Sequence, residues 1–349
     1  MGVAKWALAA CFVSALACGR SYDEQVTDGV TDAGHDVDVS EQPDPGVDAS
    51  SFEAGPSGDA ADGGNGEGGD GGSTVPYAVL GSGIDDPAQL AVDAVNVYFT
   101  LGRRGEVRRC SKTNGCAGLS ELVAAGQSVL SGLAVTSANV YWATGYRYIE
   151  RCGTAGTMPC TPTMFVDTGA SSYPSAPEAH GTRLYWFVFS GNTRKLQTCP
   201  LSGCTSGYPK TIFSSVSGDA LDGAPIVGME IDNNNHVFVL RYTGGIVRLT
   251  MTGAEAIDAT SITVINGTPF TSTGLDLDGT TLRWTIGNGS RVDQCTAPSC
   301  TTVTTFASGH LGAVDVASDT VAVYGADQGA SDDAGSPKPD AGSLWRMLK

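Results

Sequence analysis

Residues 131–152 read "SGLAVTSANVYWATGYRYIERC": an apolar alternation, a small polar turn, a Tyr-Trp pair and a second alternating run that ends on cysteine. Alternation at period two marks strands with one buried face, and two such runs joined by a tight Asp, Asn, Ser or Gly turn mark a β-hairpin. The phrase recurs as "QLAVDAVNVYFT" from residue 89, "PEAHGTRLYWFV" from 177, "MEIDNNNHVFVL" from 229, "LDLDGTTLRWTI" from 275 and "VDVASDTVAVYG" from 314. Units follow one another at roughly 40 to 50 residues, the period of a four-stranded propeller blade. A third run such as "GEVRRCS" or "GGIVRLT" and a fourth such as "SELVAAG" complete the unit, and helical periodicity is absent.

The two ends of this region set the blade count. It begins with "YAVLGSG" (77–83), which has the form of a fourth strand, and finishes at "GSLWRMLK" (342–349), which has the form of a third. A blade completed from both termini closes a ring and removes the unpaired edges that an open sheet of this length would present. The expectation is an all-β chain: a six-bladed β-propeller over residues 76–349, closed by its N-terminal strand and preceded by a disordered tether.

The motif "LAVxxxxNVYW" with a downstream "G.I.R" resembles the YWTD and NHL-type six-bladed propeller repeats. With its cysteine pairs the chain is also similar to a class of myxobacterial-type surface lipoproteins. Arg283 stands where the YWTD tyrosine belongs in unit five, and unit six has no tryptophan. Propellers serve both as enzymes and as binding platforms, so the resemblance implies fold more than function.

Beyond Cys11 and Cys18, eight cysteines fall as Cys110 with Cys116, Cys152 with Cys160, Cys199 with Cys204, and Cys295 with Cys300. Each pair sits where a third strand turns into a fourth, and the fourth unit lacks both partners, with Thr250 and Ala254 in their places. Loss of both together is what an intra-blade disulfide predicts in an oxidising compartment. Loops this short contribute about 2 kcal/mol each or less, which suits pinned turns more than a stapled ring. The irregular spacing argues against zinc.

The N-terminus gives the address. Lys5 followed by "WALAACFVSALA" has the form of a signal-peptide h-region, too short for a permanent span. Its end, "ALAC", resembles a bacterial lipobox, which makes residues 1–17 a lipoprotein signal peptide and Cys18 the lipidated first residue of the mature chain. Gly19 offers no aspartate-type retention signal, so the expected place is the cell envelope, at the outer membrane and held through the lipid. Residues 18–75 form the tether. Of the chain's 37 acidic residues, 14 lie within 21–75, where there is no Lys or Arg. Such composition cannot bury enough apolar surface to order itself, and as a coil it spans roughly 40 Å. Its charge repels phosphate, so no nucleic-acid partner is expected.

Two sets of residues are candidates for function. Tyr98, Tyr141, Trp142, Tyr185, Trp186 and Trp284 could form a sugar platform, but their regular place on second strands assigns them to the packing between blades. On first strands, the position before the turn offers Ala91, Ala134, Glu178, Glu230, Asp276 and Asp315. First strands line a propeller's channel, so these four carboxylates read as one ring that repels itself unless a cation, protons or water intervene. Hard oxygen donors on an axis suit Ca²⁺. Six-bladed lactonases and related hydrolases use such a calcium, and His180 nearby would be the general base. Asp93, Asp232 and Asp278 read as turn caps. No "GxSxG", "HExxH", phosphate-loop or dinucleotide signature occurs. The leading reading is therefore a non-enzymatic binding platform for a protein or glycan, and the alternative is a calcium-dependent hydrolase or lactonase at the channel.

Overall fold

The computed structural model describes residues 77–349, apart from 117–119, 146, 171, 206, 216–217, 219, 222–224, 243–244, 254, 267–272, 287–289, 311 and 330–340, and apart from the side chains of 257–266. Cys18, the tether, Ala254 and most of the polar insertion after Asp327 lie outside the described residues.

Every regular element among the described residues is a strand, and the strands form six four-stranded antiparallel sheets. Five blades use consecutive strands, over residues 87–124, 133–167, 173–214, 226–266 and 275–308. Blade six takes three strands from 313–348 and its outer strand from Tyr77–Ile84, which pairs antiparallel with Gly342–Leu348. The first strands touch in order around the axis, and that of blade six returns to that of blade one. The expected N-terminal closure is therefore the observed one.

Strand alternation explains what holds the blades together. On a second strand, the tyrosine of the Tyr-Trp pair points to one side of its blade and the tryptophan to the other. Tyr98 meets Trp142 between blades one and two, and Tyr141 meets Trp186 between two and three. Tyr185 packs with Val237 and Val239, and Phe238 with Trp284, across the next two interfaces. All six aromatics named from the sequence are at most 2% exposed. They are core, and no sugar platform.

Blade six solves its missing tryptophan differently. Gly325 occupies the tryptophan's position, and Trp345 lies directly opposite it on the third strand. A Cβ on Gly325 would fall 1.9 Å from the Trp345 ring. The indole therefore fills, from the neighbouring strand, the space that a second-strand tryptophan fills elsewhere, and packs with Val292 of blade five.

Because successive strands of a blade run antiparallel, first-to-second and third-to-fourth turns share one face of the disc. Second-to-third turns and the connections between blades share the other, here called the open face. The four expected disulfides are formed, with Cα–Cα distances of 5.1, 6.2, 5.4 and 5.0 Å, and all lie on the first face. Blade four does without: the place of its first cysteine, opposite Val237, is taken by Leu249, one residue before the expected Thr250. One staple also serves the closure. The Cys116 N–H donates to the Leu80 carbonyl at 2.6 Å, and Arg346 Nη1 donates to the Lys112 carbonyl at 3.0 Å. Lys112 Nζ, nearly buried, donates to Asp319 Oδ2 at 2.5 Å, so the first blade's pinned turn grips both the closing strand and blade six.

Candidate functional site

Three inner hairpins are fixed by turn aspartates and a fourth by Thr136, whereas Asp278, also expected as a cap, faces Arg283 and Lys349 instead. Asp93 Oδ1 accepts from the N–H groups of Val95 and Asn96 at 2.8 and 2.7 Å, and the Tyr98 hydroxyl donates to Asp93 Oδ2 at 3.0 Å. Asp319 repeats the arrangement with Val321, Ala322 and Tyr324 at 2.7, 2.8 and 3.1 Å. Asp232 caps its turn through the N–H groups of Asn234 and His236. With the turn locked, the first-strand residue opposite the tyrosine shares its side, so it leans toward the next blade at the wall of the channel.

The register pairs Ala91 with Tyr98, Ala134 with Tyr141, Glu178 with Tyr185, Glu230 with Phe238, Asp276 with Arg283 and Ala317 with Tyr324. The sixth member of this ring is thus Ala317, and Asp315 lies two residues earlier, one layer nearer the open face. The expectation of four carboxylates in one ring is corrected to three in a ring and one above it. All four still line a single axial cavity of about 210 Å³. Blades one and two contribute Gln89, Ala91 and Ala134, and no ionisable group.

The carboxyls differ in their partners. Asp276 accepts from Arg283 Nη1 at 3.1 Å and from the Ser318 hydroxyl of blade six at 2.8 Å. Asp315 accepts from the Leu90 N–H of blade one at 2.6 Å and the Val316 N–H at 2.8 Å. Burial nevertheless raises the pKa of both, that of Asp315 well above the usual carboxylate range. Glu178 and Glu230 keep some access to the channel's water but are surrounded by protein. Burial pushes Glu178 up to about 8, assisted by repulsion from Asp276. Glu230 is raised well above its ordinary value by burial first, then by repulsion from Glu178, Asp276 and Asp315. At neutral pH Glu178 is therefore held largely as the neutral acid, which relieves its repulsion with Asp276.

Arg283 is the site residue that sequence reasoning noted only as a departure from the repeat. It is 5% exposed, lies 3.7 Å from Asp278 as well as contacting Asp276, and stacks over Phe306 at 5.0 Å. Its signal was there: a lone arginine in a tyrosine column, opposite an aspartate. His180 ends its strand at the hairpin and is not part of the cavity wall, so the structure does not bring it to the carboxyls. Among the described residues no three acidic, histidine or cysteine side chains converge as metal ligands do. The oxygens of Asp276 and Asp315 are turned to Arg283, Ser318 and backbone amides, so this donor set does not fit calcium, which takes about six to eight oxygens.

No family model matches the chain, and no curated protein does. Solved structures do. An auxiliary nutrient binding protein from Bacteroides thetaiotaomicron aligns at TM-score 0.56 and 9% identity over 76% of this chain and 70% of that one. The PQQ-bound aldose sugar dehydrogenase from Streptomyces coelicolor aligns at 0.54 and 12%, over 78% and 97%. The WD40 β-propeller domain of Doa1 aligns at 0.50 and 13%, over 79% and 98%. At such identities the likeness carries the architecture alone: the chain is a six-bladed β-propeller, similar in fold to binding proteins and enzymes alike.

Proposed function

We propose that this chain is a cell-envelope lipoprotein, anchored through Cys18 at the outer membrane, whose propeller is a non-enzymatic binding platform for a protein or glycan. The observation that carries the reading is the axial wall, where Gln89, Ser318 and four acids converge on one cavity of about 210 Å³ and offer a polar recognition surface. Both ends of the described chain, Tyr77 and Lys349, lie on the disulfide-pinned face. The fold hosts both nutrient binding and sugar oxidation in its neighbours, so the site decides between classes.

The test uses the full chain expressed in a bacterial envelope. Cys18→Ser is expected to move the protein from the membrane fraction to the soluble fraction. On a glycan array and in envelope-fraction capture, one ligand is expected to bind wild type and be lost in Val227→Arg, which alters the open-face mouth. Turnover of lactone or ester substrates by the purified chain, abolished by Glu230→Gln, would overturn the non-enzymatic reading.

A further inference from the structure

At its open-face end the acidic cavity adjoins a second space of about 50 Å³ with the opposite character. Leu130, Tyr173, Pro174, Phe189, Pro225 and Ile226 give its wall an apolar character. The two spaces share Gln89 and Val227 and meet residue by residue along other first strands, as at Ser131 beside Gly132 and Ser175 beside Ala176. Ser175, which lines the apolar space, is 6% exposed, and its hydroxyl has no hydrogen-bond partner. A buried hydroxyl is ordinarily paired, so an orphan on a cavity wall points to a group that enters from outside.

The acidic end keeps acceptor capacity as well: Asp315 accepts a single N–H on each oxygen, and Glu178 and Glu230 have no cation beside them among the described residues. Among Glu178, Glu230, Asp276 and Asp315, the cation in contact is Arg283, and it belongs to Asp276. Glu230 receives no hydrogen bond among the described residues. A compact cation with several N–H donors matches three acids spread over two layers better than a metal that needs a full oxygen cage. An apolar stem matches the mouth.

We propose that the two spaces form one site for an ammonium group carried on an apolar stem, the ammonium lying among Glu178, Glu230 and Asp315, the stem lying in the open-face mouth, and Ser175 bonding a polar atom between them. The inference rests on the binding-platform reading and names the chemistry that the platform recognises. A free amine and a partner's lysine side chain both offer it. Entry of the cation ionises a carboxyl that is otherwise protonated, so binding releases a proton to the buffer.

The experiment is titration calorimetry of the full chain with 2-phenylethylamine, 2-phenylethanol, methylammonium and Nα-acetyl-lysine methylamide, in two buffers of different ionisation enthalpy near neutral pH. The expected result is one site per chain. At least one of the two stemmed amines should bind about 10-fold or more tighter than both the alcohol and methylammonium, with net proton release. Tighter binding of phenylethylamine assigns the site to a free amine, and tighter binding of the lysine derivative assigns it to a partner's side chain. Glu230→Gln, which keeps the shape of the side chain, should weaken binding about 10-fold or more and reduce the proton release. Ser175→Ala should weaken binding and leave the proton release unchanged. Equal binding of the alcohol, indifference to Glu230→Gln in a variant that melts as wild type does, or no binding by any probe would overturn the proposal. If no amine binds while a captured partner is still lost in Val227→Arg, the ligand class fails and the platform stands. If neither is seen, both fail.

Discussion

A chain lacking Tyr77–Ile84 is expected to lose the single cooperative unfolding transition of the intact protein and to elute as aggregate. The segment pairs with its neighbour strand from Gly342 to Met347, and without it that strand becomes an open edge of unpaired N–H and C=O groups. Its removal also empties an interface. Leu80 belongs to the cluster that joins blades six and one, with Leu90, Phe99, Tyr324 and Leu344, and its carbonyl holds the first disulfide-pinned turn through Cys116. A ring in which each interface depends on both neighbours has no terminal blade that can be spared. Circular dichroism melting together with size-exclusion chromatography reads the outcome. A deleted chain that stays monomeric and melts at the wild-type temperature would show that the ring closes without this strand.

The second large effect is expected at Arg283. Its replacement by alanine should cost about 3–5 kcal/mol, because it leaves Asp276 buried with one hydroxyl where it had a guanidinium as well. Part of the loss is packing, since the side chain lies over Phe306. The electrostatic part is separable. Adding Asp276→Asn to Arg283→Ala removes the unpaired acid, so the double variant should be more stable than the sum of the two single losses implies, a coupling that urea unfolding of the four-member cycle measures. Strict additivity would mean that Arg283 acts by filling space alone.

Much of the architecture was readable because its signals are local. A hairpin announces itself by alternation and a turn residue, six similar hairpins announce a closed array, and the loss of both cysteines together from unit four announces intra-blade bridges. The aromatic columns followed from the same phrase, and the closing strand from the forms of the two ends, "YAVLGSG" and "GSLWRMLK". What escaped was cross-strand register. Unit six, "VDVASDTVAVYG", offers two aspartates, and the hydrogen bonds of its turn, among them that from the Asp319 N–H to the Ala322 carbonyl, identify Asp319 as the counterpart of Asp93 with its bond to Asn96. A slip of two residues keeps a side chain on the same side of its strand, so alternation gives no warning, yet it moves Asp315 to another layer. The exchange of space between Gly325 and Trp345 is invisible for the same reason: the two are partners across strands and twenty residues apart in the chain. The apolar mouth escaped because it is built from residues just ahead of the repeated phrase, where the units share least.

Ring closure encloses Glu178 so fully that it stays largely protonated at neutral pH. In the unfolded chain Glu178 ionises near its ordinary 4.5, and in the folded chain near 8. Between those values the native state holds a proton that the unfolded state has lost, so stability falls as pH rises through this window and levels off above it. Below about 4.5 the group has no effect. The acids held low, Glu255 at about 2 by Lys210 and Tyr208, and Asp319 at about 2 by Lys112 and backbone amides, act with the opposite sign and in a different range, losing stability as pH falls from about 4 toward 2. The deciding measurement is urea unfolding of wild type and Glu178→Gln from about pH 5 to about pH 8. The account predicts a wild-type stability that declines across this range, with a slope shallower in the variant by roughly 1 kcal/mol per pH unit. A wild-type stability that is flat or rises over the same range, or a variant with an unchanged slope, would contradict it.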